Sequence, residues 1–319
     1  MDKILEIKNL DLFFRFDDKE YQALYDINLS FERGKLHSIV GESGCGKTMT
    51  MMSVLRLLPK TAFIKNGEIL FNGENLLNYK EAQMRDIRGN KIALIPQDPM
   101  TSLNPLYTVG NQLIEAIQSH KKVSAHQALR KAREVMGLVR ISDVDNKLKM
   151  YPHEFSGGMK QRIIIGMALA CNAELIIADE PTTALDVTIQ KQIMDLISEI
   201  QREFKTTIIL ISHDLALVSN YADTVTVMYS GKISEKAPSK EFFRNTRHPY
   251  SIALLNSLPG DNSNTKLKMI SGAPPGIREV ITGCKFHPRC EYFQKDLCDK
   301  EIPALEEKQP EHFTACFKV

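Results

Sequence analysis

Gly41-Glu42-Ser43-Gly44-Cys45-Gly46-Lys47-Thr48 is the stretch from which the rest of the chain is read. Glycines at 41, 44 and 46 allow a tight turn that aims successive backbone N–H groups at phosphate oxygens. A helix opening directly after such a loop adds the positive end of its dipole. Lys47 then supplies a point charge for the β- and γ-phosphates, and the Thr48 hydroxyl is a ligand for Mg²⁺. The flanks agree: Leu36-His37-Ser38-Ile39-Val40 reads as a buried strand, and the run from Thr50 to Leu58 as a helix. Strand, glycine loop and helix in this order predict an α/β fold of the P-loop NTPase type.

More than a hundred residues downstream, Leu175-Ile176-Ile177-Ala178-Asp179-Glu180 forms a second decisive segment. Its apolar run is the length of a central parallel strand and far too short to span a membrane. Carboxylates at the C-terminal end of such a strand lie where ligands bind in open α/β sheets. Asp179 is expected to hold Mg²⁺ through water, and Glu180 to polarise the attacking water as general base.

Between the two lies Phe155-Ser156-Gly157-Gly158-Met159-Lys160-Gln161-Arg162. With it the chain resembles the ATP-binding subunits of ABC transporters, and the resemblance spans nearly all of it. It implies an ABC-type RecA-like core with an antiparallel β subdomain and an inserted helical subdomain. It also implies that Ser156, Gly157 and Gly158 contact the γ-phosphate of ATP held by the other subunit of a dimer. Phe155 and Met159 stand where that family usually has leucine and glutamine, a variant similar to that of peptide importers. Gln97, in Leu94-Ile95-Pro96-Gln97-Asp98-Pro99, matches the glutamine that senses the metal and couples to the membrane subunit. Ala184-Leu185-Asp186 matches the loop that adds Asp186 to the contacts across the dimer. His213, after Thr207 to Ser212, matches the switch histidine that orients the γ-phosphate and the water. The implied ATP-binding set is Phe14, residues 41–48, Thr50 and Gln97. Thr48, Gln97 and Asp179 serve Mg²⁺, and Glu180, His213 and Lys47 serve catalysis. Phe13 and Phe16 flank Phe14, the ring expected to stack on adenine, and are read as strand packing.

The composition is that of a globular protein. At 319 residues, with net charge +2 and 25% charged residues, neither a disordered chain nor one coated with nucleic acid is indicated. Acidic residues within Met1 to Ile7 argue against a signal peptide, and no apolar stretch approaches the ~18–20 residues of a membrane span. Residues 1–97 are expected to mix short strands with the loop and its helix, and 98–160 to form the helical subdomain. Strand–helix alternation returns from 161 to about 235. Thr224 to Ile233 reads as a hairpin closed by Ser230-Gly231. An ABC ATPase domain is expected to cover 1–260. Beyond it, 261–319 reads as a linker, richest in Asn, Ser, Pro and Gly from Asn262 to Pro275, and a cysteine-rich extension.

That extension holds four of the six cysteines, Cys284, Cys290, Cys298 and Cys316, separated by five, seven and seventeen residues. Clustered thiols in a chain without a signal peptide favour metal over disulfides, and four thiolates can complete either a Zn²⁺ site or a [4Fe–4S] cluster. The spacing lacks a Cys-x₂-Cys knuckle, which counts mildly against zinc. Cys45 and Cys171 read as small packing residues, His287 as a turn residue and His312 as a surface one. Thr246 to Leu255 and Gly283 to Cys290 resemble the C-terminal extension of oligopeptide and dipeptide importer ATPases, in which four similar cysteines ligate a [4Fe–4S] cluster.

The resemblance implies ATP hydrolysis that powers peptide import. The implied partners are a second ABC ATPase subunit (a paralogue or the same chain), two membrane-spanning permease subunits and an extracytoplasmic peptide-binding protein, with no nucleic acid. It places the chain at the cytoplasmic face of the inner membrane. Three rival readings are a nickel or metal-chelate importer ATPase, a soluble ABC-type ATPase of DNA repair or translation, and a redox-sensing module with little turnover. The first two usually lack the cysteine tail, and intact Lys47 and Glu180 weigh against the third.

Overall fold

A computed structural model describes residues 2–183, 185–257 and 270–319. The chain divides into two compact units: unit 1 comprises Met1–Glu32, Leu36–Asn78 and Ile211–Val319, and unit 2 comprises Arg33–Lys35 and Tyr79–Leu210. Residues 262–269 of the expected linker lie outside the described residues.

Unit 1 opens with β1 (Lys3–Phe16) and β2 (Lys19–Glu32), then β3 (Leu36–Val40), α1 (Lys47–Leu55), β4 (Ala62–Phe71) and β5 (Glu74–Asn75). Strands β2-β1-β4-β5 form a four-stranded antiparallel sheet. The expectation of short strands here is corrected, since β1 and β2 each run for 14 residues. Their apolar residues alternate with polar ones, so one face can stay wet over the whole length. Asp17 and Asp18, with φ of 48° and 60°, close the hairpin in the left-handed conformation that matches strand twist. Helix α1 begins at Lys47, three residues before the expected start, because Gly46 already occupies the N-cap. It stops at Leu55, where Arg56 turns left-handed, so Leu57 and Leu58 fall outside it.

Unit 2 contains α2 (Glu81–Ile87), β6 (Ile92–Ile95), α3 (Pro99–Ser102), α4 (Val109–His120), α5 (Ala125–Leu138), α6 (Val144–Lys147), α7 (Gly157–Ala170), β7 (Leu175–Asp179), α8 (Val187–Phe204) and β8 (Thr207–Ser212), the last of which ends in unit 1. Its strands lie in the order β8-β7-β6, with β6 and β7 parallel. All five residues of β7 are buried, as a strand covered on both faces requires. Ser124 and Gln127 cap α5 reciprocally, the Ser124 hydroxyl accepting from Gln127 N and the Gln127 side chain from Ser124 N.

The chain returns to unit 1 with α9 (Leu215–Tyr221), β9 (Thr224–Tyr229), β10 (Lys232–Pro238), α10 (Ser239–Arg244), α11 (Pro249–Asn256), β11 (Glu306–Gln309) and β12 (His312–Thr314). Here the order is β11-β12-β10-β9-β3, with β3 and β9 parallel and the other pairs antiparallel. Ser230 and Gly231, at φ of 44° and 75°, form the expected hairpin turn. The last two strands bring the C-terminal extension onto the edge of this sheet. His312, expected at the surface, is instead fully buried there: its Nε2 lies 2.7 Å from the equally buried carboxylate of Glu235 on β10. The same carboxylate accepts from the backbone N–H of Arg247 and of His248. A buried carboxyl group demands such partners, and Glu235 draws them from two separate segments.

Candidate nucleotide site

In unit 1 the loop 41–46 joins β3 to α1 and turns through glycines that no other residue could replace. Gly41 has φ of 151°, and a Cβ there would stand 2.2 Å from the Met228 carbonyl oxygen. Gly46 has φ of 107°, and its Cβ would stand 2.7 Å from Leu24. The loop is therefore held by β9 and β2 at a distance only glycine permits. Lys47, buried, donates to the carbonyls of Gly41 at 2.7 Å and Glu42 at 3.1 Å, so its ammonium sits over the loop. Thr48 occupies the first turn of α1, and Thr50 Oγ1 donates to Gly46 O at 2.9 Å. Ser43 and Gly44 are exposed at the rim, whereas Cys45 is buried and burial raises its thiol. Cys45 is thus a packing residue of the loop.

Phe14, half-buried on β1, stacks on Phe16 with ring centroids 5.6 Å apart. The Arg278 guanidinium lies 5.7 Å over Phe16 and 5.9 Å over Tyr21. His213 is exposed just after β8, and the next residue, Asp214, caps α9 by accepting from Ala216 N and Leu217 N.

In unit 2, Asp179 is buried at the end of β7, and Glu180 follows it in the left-handed conformation at φ of 46°. A non-glycine residue held there is uncommon and turns the side chain off the strand direction. The Glu180 carboxylate accepts from Gln97 Nε2 at 3.1 Å and from Thr183 Oγ1 at 3.0 Å. The structure therefore joins Gln97 and Glu180, which stand 83 residues apart in sequence. Ser156 caps α7, its hydroxyl accepting from Met159 N, and leaves the Gly157 and Gly158 amides at the helix start. A Cβ on Gly158 would meet Ile189 of α8 at 2.8 Å, so glycine lets α7 and α8 approach. Phe155, the departure from the usual leucine, is buried as an apolar anchor before the cap. Asp186 caps α8 by accepting from Ile189 N at 2.9 Å. Ala184 lies outside the described residues.

Sequence reading missed Arg289, Tyr229 and Tyr250. Arg289 Nη1 and Nη2 grip the Glu42 carboxylate at 2.6 and 3.0 Å, and the Tyr250 hydroxyl accepts from Glu42 N at 2.8 Å. The bond to Glu42 raises the guanidinium's pKa above its ordinary value. Neither partner is near the loop in sequence, so no local pattern marks them.

Cys284, Cys290, Cys298 and Cys316 line one small cavity of ≈ 20 Å³, partly open to solvent, with Phe286 and Phe317 among its walls. All four are free thiols. Gly283 brings two of them together: Cys284 N donates to Cys298 O at 2.8 Å, and a Cβ on Gly283 would stand 2.3 Å from that oxygen. Burial pushes the Cys284 thiol up to about 11. Among the described residues, however, no group of three or more His, Cys, Asp or Glu side chains is placed to hold a metal ion.

The strand–loop–helix at Lys47 and the carboxylate-ended strand at Glu180 define a P-loop ATPase of the ABC class. The ABC transporter family profile matches residues 24–183, and the profile for the C-terminal region of oligopeptide/dipeptide transporters matches residues 234–298. A probable peptide ABC transporter ATP-binding protein of Sinorhizobium fredii is 48% identical over 99% of this chain and 95% of its own length. The dipeptide transport ATP-binding protein DppD of Bacillus subtilis is 44% identical over 99% and 95%. The oligopeptide transport ATP-binding protein OppD of Escherichia coli is 43% identical over 99% and 94%. Among solved structures, CbiO1 of Clostridium perfringens, part of an ABC transporter complex, superposes with a TM-score of 0.66 at 27% identity, over 77% of this chain and 92% of that one. The chain belongs to the family of ATP-binding proteins of peptide ABC transporters. No helix among the described residues is long and apolar enough to cross a membrane.

Proposed function

We propose that this chain hydrolyses ATP to power import of oligopeptides or dipeptides through separate membrane subunits. The observation that carries the reading is the full-length match to peptide-transport ATP-binding proteins, C-terminal region included. The nickel or metal-chelate alternative draws no support from these relatives. The chain would sit peripherally at the cytoplasmic face of the membrane, beside a second ABC ATPase, two permease subunits and an extracytoplasmic binding protein. An ATPase domain over 1–260, with a helical subdomain at 98–160 and an extension over 261–319, is the organisation that fits this role.

In this reading the loop amides of residues 41–48 and Lys47 bind the phosphates of ATP, Thr50 supports the loop, and Phe14 stacks on the base. Thr48, Gln97 and Asp179 would hold Mg²⁺, which would neutralise phosphate charge. Glu180, oriented by Gln97 and Thr183, takes a proton from the attacking water, and His213 orients the γ-phosphate. Ser156, Gly157, Gly158 and Asp186 contact the nucleotide of the partner subunit. The exposed Ser156 at the cap of α7 supports that assignment.

The four cysteines are assigned a [4Fe–4S] cluster that staples the extension. What supports this reading is that all four cysteines are free and line one cavity. Iron and acid-labile sulfide in anaerobically purified protein, lost in Cys290→Ser, support the cluster; stoichiometric zinc without iron overturns it. For the transport function, the test is the complex reconstituted in vesicles with its binding protein. Di- to pentapeptides should stimulate ATP turnover, and stimulation by nickel chelates but not peptides would sink the peptide reading.

A further inference from the structure

We propose that Arg289, in the C-terminal extension, is a positioning residue for ATP: it neutralises Glu42 and fixes the phosphate loop from outside the ATPase motifs. The proposal rests on the nucleotide-site reading of residues 41–48. An acid as the second residue of a phosphate loop is an electrostatic liability, because its carboxylate stands beside the polyanion the loop must receive. Arg289 answers it with a bidentate pair, at 2.6 and 3.0 Å, from a side chain only 6% exposed. Paired ions of this geometry are the strong ones.

The rest of the guanidinium is equally committed. Nε donates to Ser271 O at 2.8 Å, Nη2 to Gly272 O at 3.0 Å and Nη1 to the Tyr229 hydroxyl at 3.3 Å. All five N–H groups of the fork therefore have acceptors, and the head cannot move without breaking several bonds. Glu42 is pinned from a second side, its N–H donating to Tyr250. Tyr250 packs on Tyr229 at 4.6 Å, and both pack on Phe286, at 5.3 and 5.2 Å. Phe286 and Cys290 both line the cysteine cavity, so the wall of that cavity and the loop that faces phosphate share one rigid cluster. This wiring is more than an edge contact would need for stability, and it ends on the loop's only acid.

The test measures MgATP affinity and turnover in the full-length chain, alone and in the transporter complex. Arg289→Ala leaves Glu42 uncompensated and should raise the Kd and KM for ATP about tenfold, with kcat at saturating ATP within about twofold. Adding Glu42→Gln to Arg289→Ala should recover most of the lost affinity, because the repelling carboxylate is gone. A merely structural arginine would give no such rescue. Unchanged affinity in Arg289→Ala, or a loss that Glu42→Gln does not relieve, overturns the proposal. If Arg289→Ala does not fold, Arg289→Lys, which keeps the charge but loses the fork, is read the same way with a smaller loss expected. Lys47→Ala separates the two readings: if it retains ATP binding, the nucleotide-site assignment fails, whereas its loss of binding beside an unaffected Arg289→Ala condemns only the present inference.

Discussion

Between Gly41 and Thr48, the groups proposed to receive a phosphate are consecutive backbone amides and two neighbouring side chains. Between Cys284 and Cys316, four thiols reach one cavity with up to seventeen residues between consecutive cysteines. The first arrangement is dictated locally: positive φ at the glycines and contact with Met228 and Leu24 leave the backbone one course. The second depends on how the extension lands on unit 1, through the buried Glu235–His312 pair and the Arg289–Glu42 pair. A site written in the backbone can be recognised from eight residues. One assembled by side chains across the fold can only be suspected from its ingredients.

The sharpest way to break this contrast is to attack the nucleotide chemistry where it depends on a single side chain. Glu180→Gln removes the proposed base but keeps an acceptor for Gln97 and Thr183. Turnover should fall by a factor of about 10²–10⁴, the usual share of a general base, while ATP binding persists. A stable ATP-dependent dimer should then appear by size-exclusion chromatography. Normal turnover in that variant would remove Glu180 from the mechanism and leave the loop as a binding site only.

This contrast also decides what could be read in advance. The strand at 36–40 and the hairpin at 224–233 were legible because each is set by its own apolar run and turn residues. Gln97 was singled out only by resemblance, and its hydrogen bond to Glu180 was not read at all, since no period links residues 83 apart. The burial of His312 was not legible at all. An isolated histidine between Glu311 and Phe313 has nothing nearby to partner it, and its acceptor lies 77 residues back on β10. Arg289 is the extreme case, 247 residues from the carboxylate it holds.

The docking of the extension offers the next test. Glu235→Ala removes an acceptor shared by His312 Nε2 and the N–H groups of Arg247 and His248, all within the interior. Stripping one partner from a buried pair costs about 3–5 kcal/mol, so the thermal midpoint should drop by several degrees. Limited proteolysis should release the extension before the rest of unit 1. If the extension stays protected and the midpoint unchanged, the pair is not what seats it.

The smallest effect expected is a pH dependence that compares a core histidine with one under the extension. Burial holds His37 on β3 below the ordinary imidazole range, and pushes His248 down to about 4. His248 has reason to stay neutral, because its Nδ1 accepts from Tyr250 N at 3.0 Å while the ring also bonds the Ala315 backbone. Protonation would set two donors against each other. Both folded values lie below the unfolded one of ~6.5, so on acidification the unfolded chain takes up protons first. Stability is therefore full above pH ~6.5 and declines below it, His248 contributing a loss on the order of 3 kcal/mol by the time pH nears its folded value. Urea midpoints at a series of pH values should show this decline, and His248→Gln should flatten more of it than His37→Gln. Equal flattening by the two would mean that the seat of the extension is no more sensitive to protons than the core strand beneath the phosphate loop.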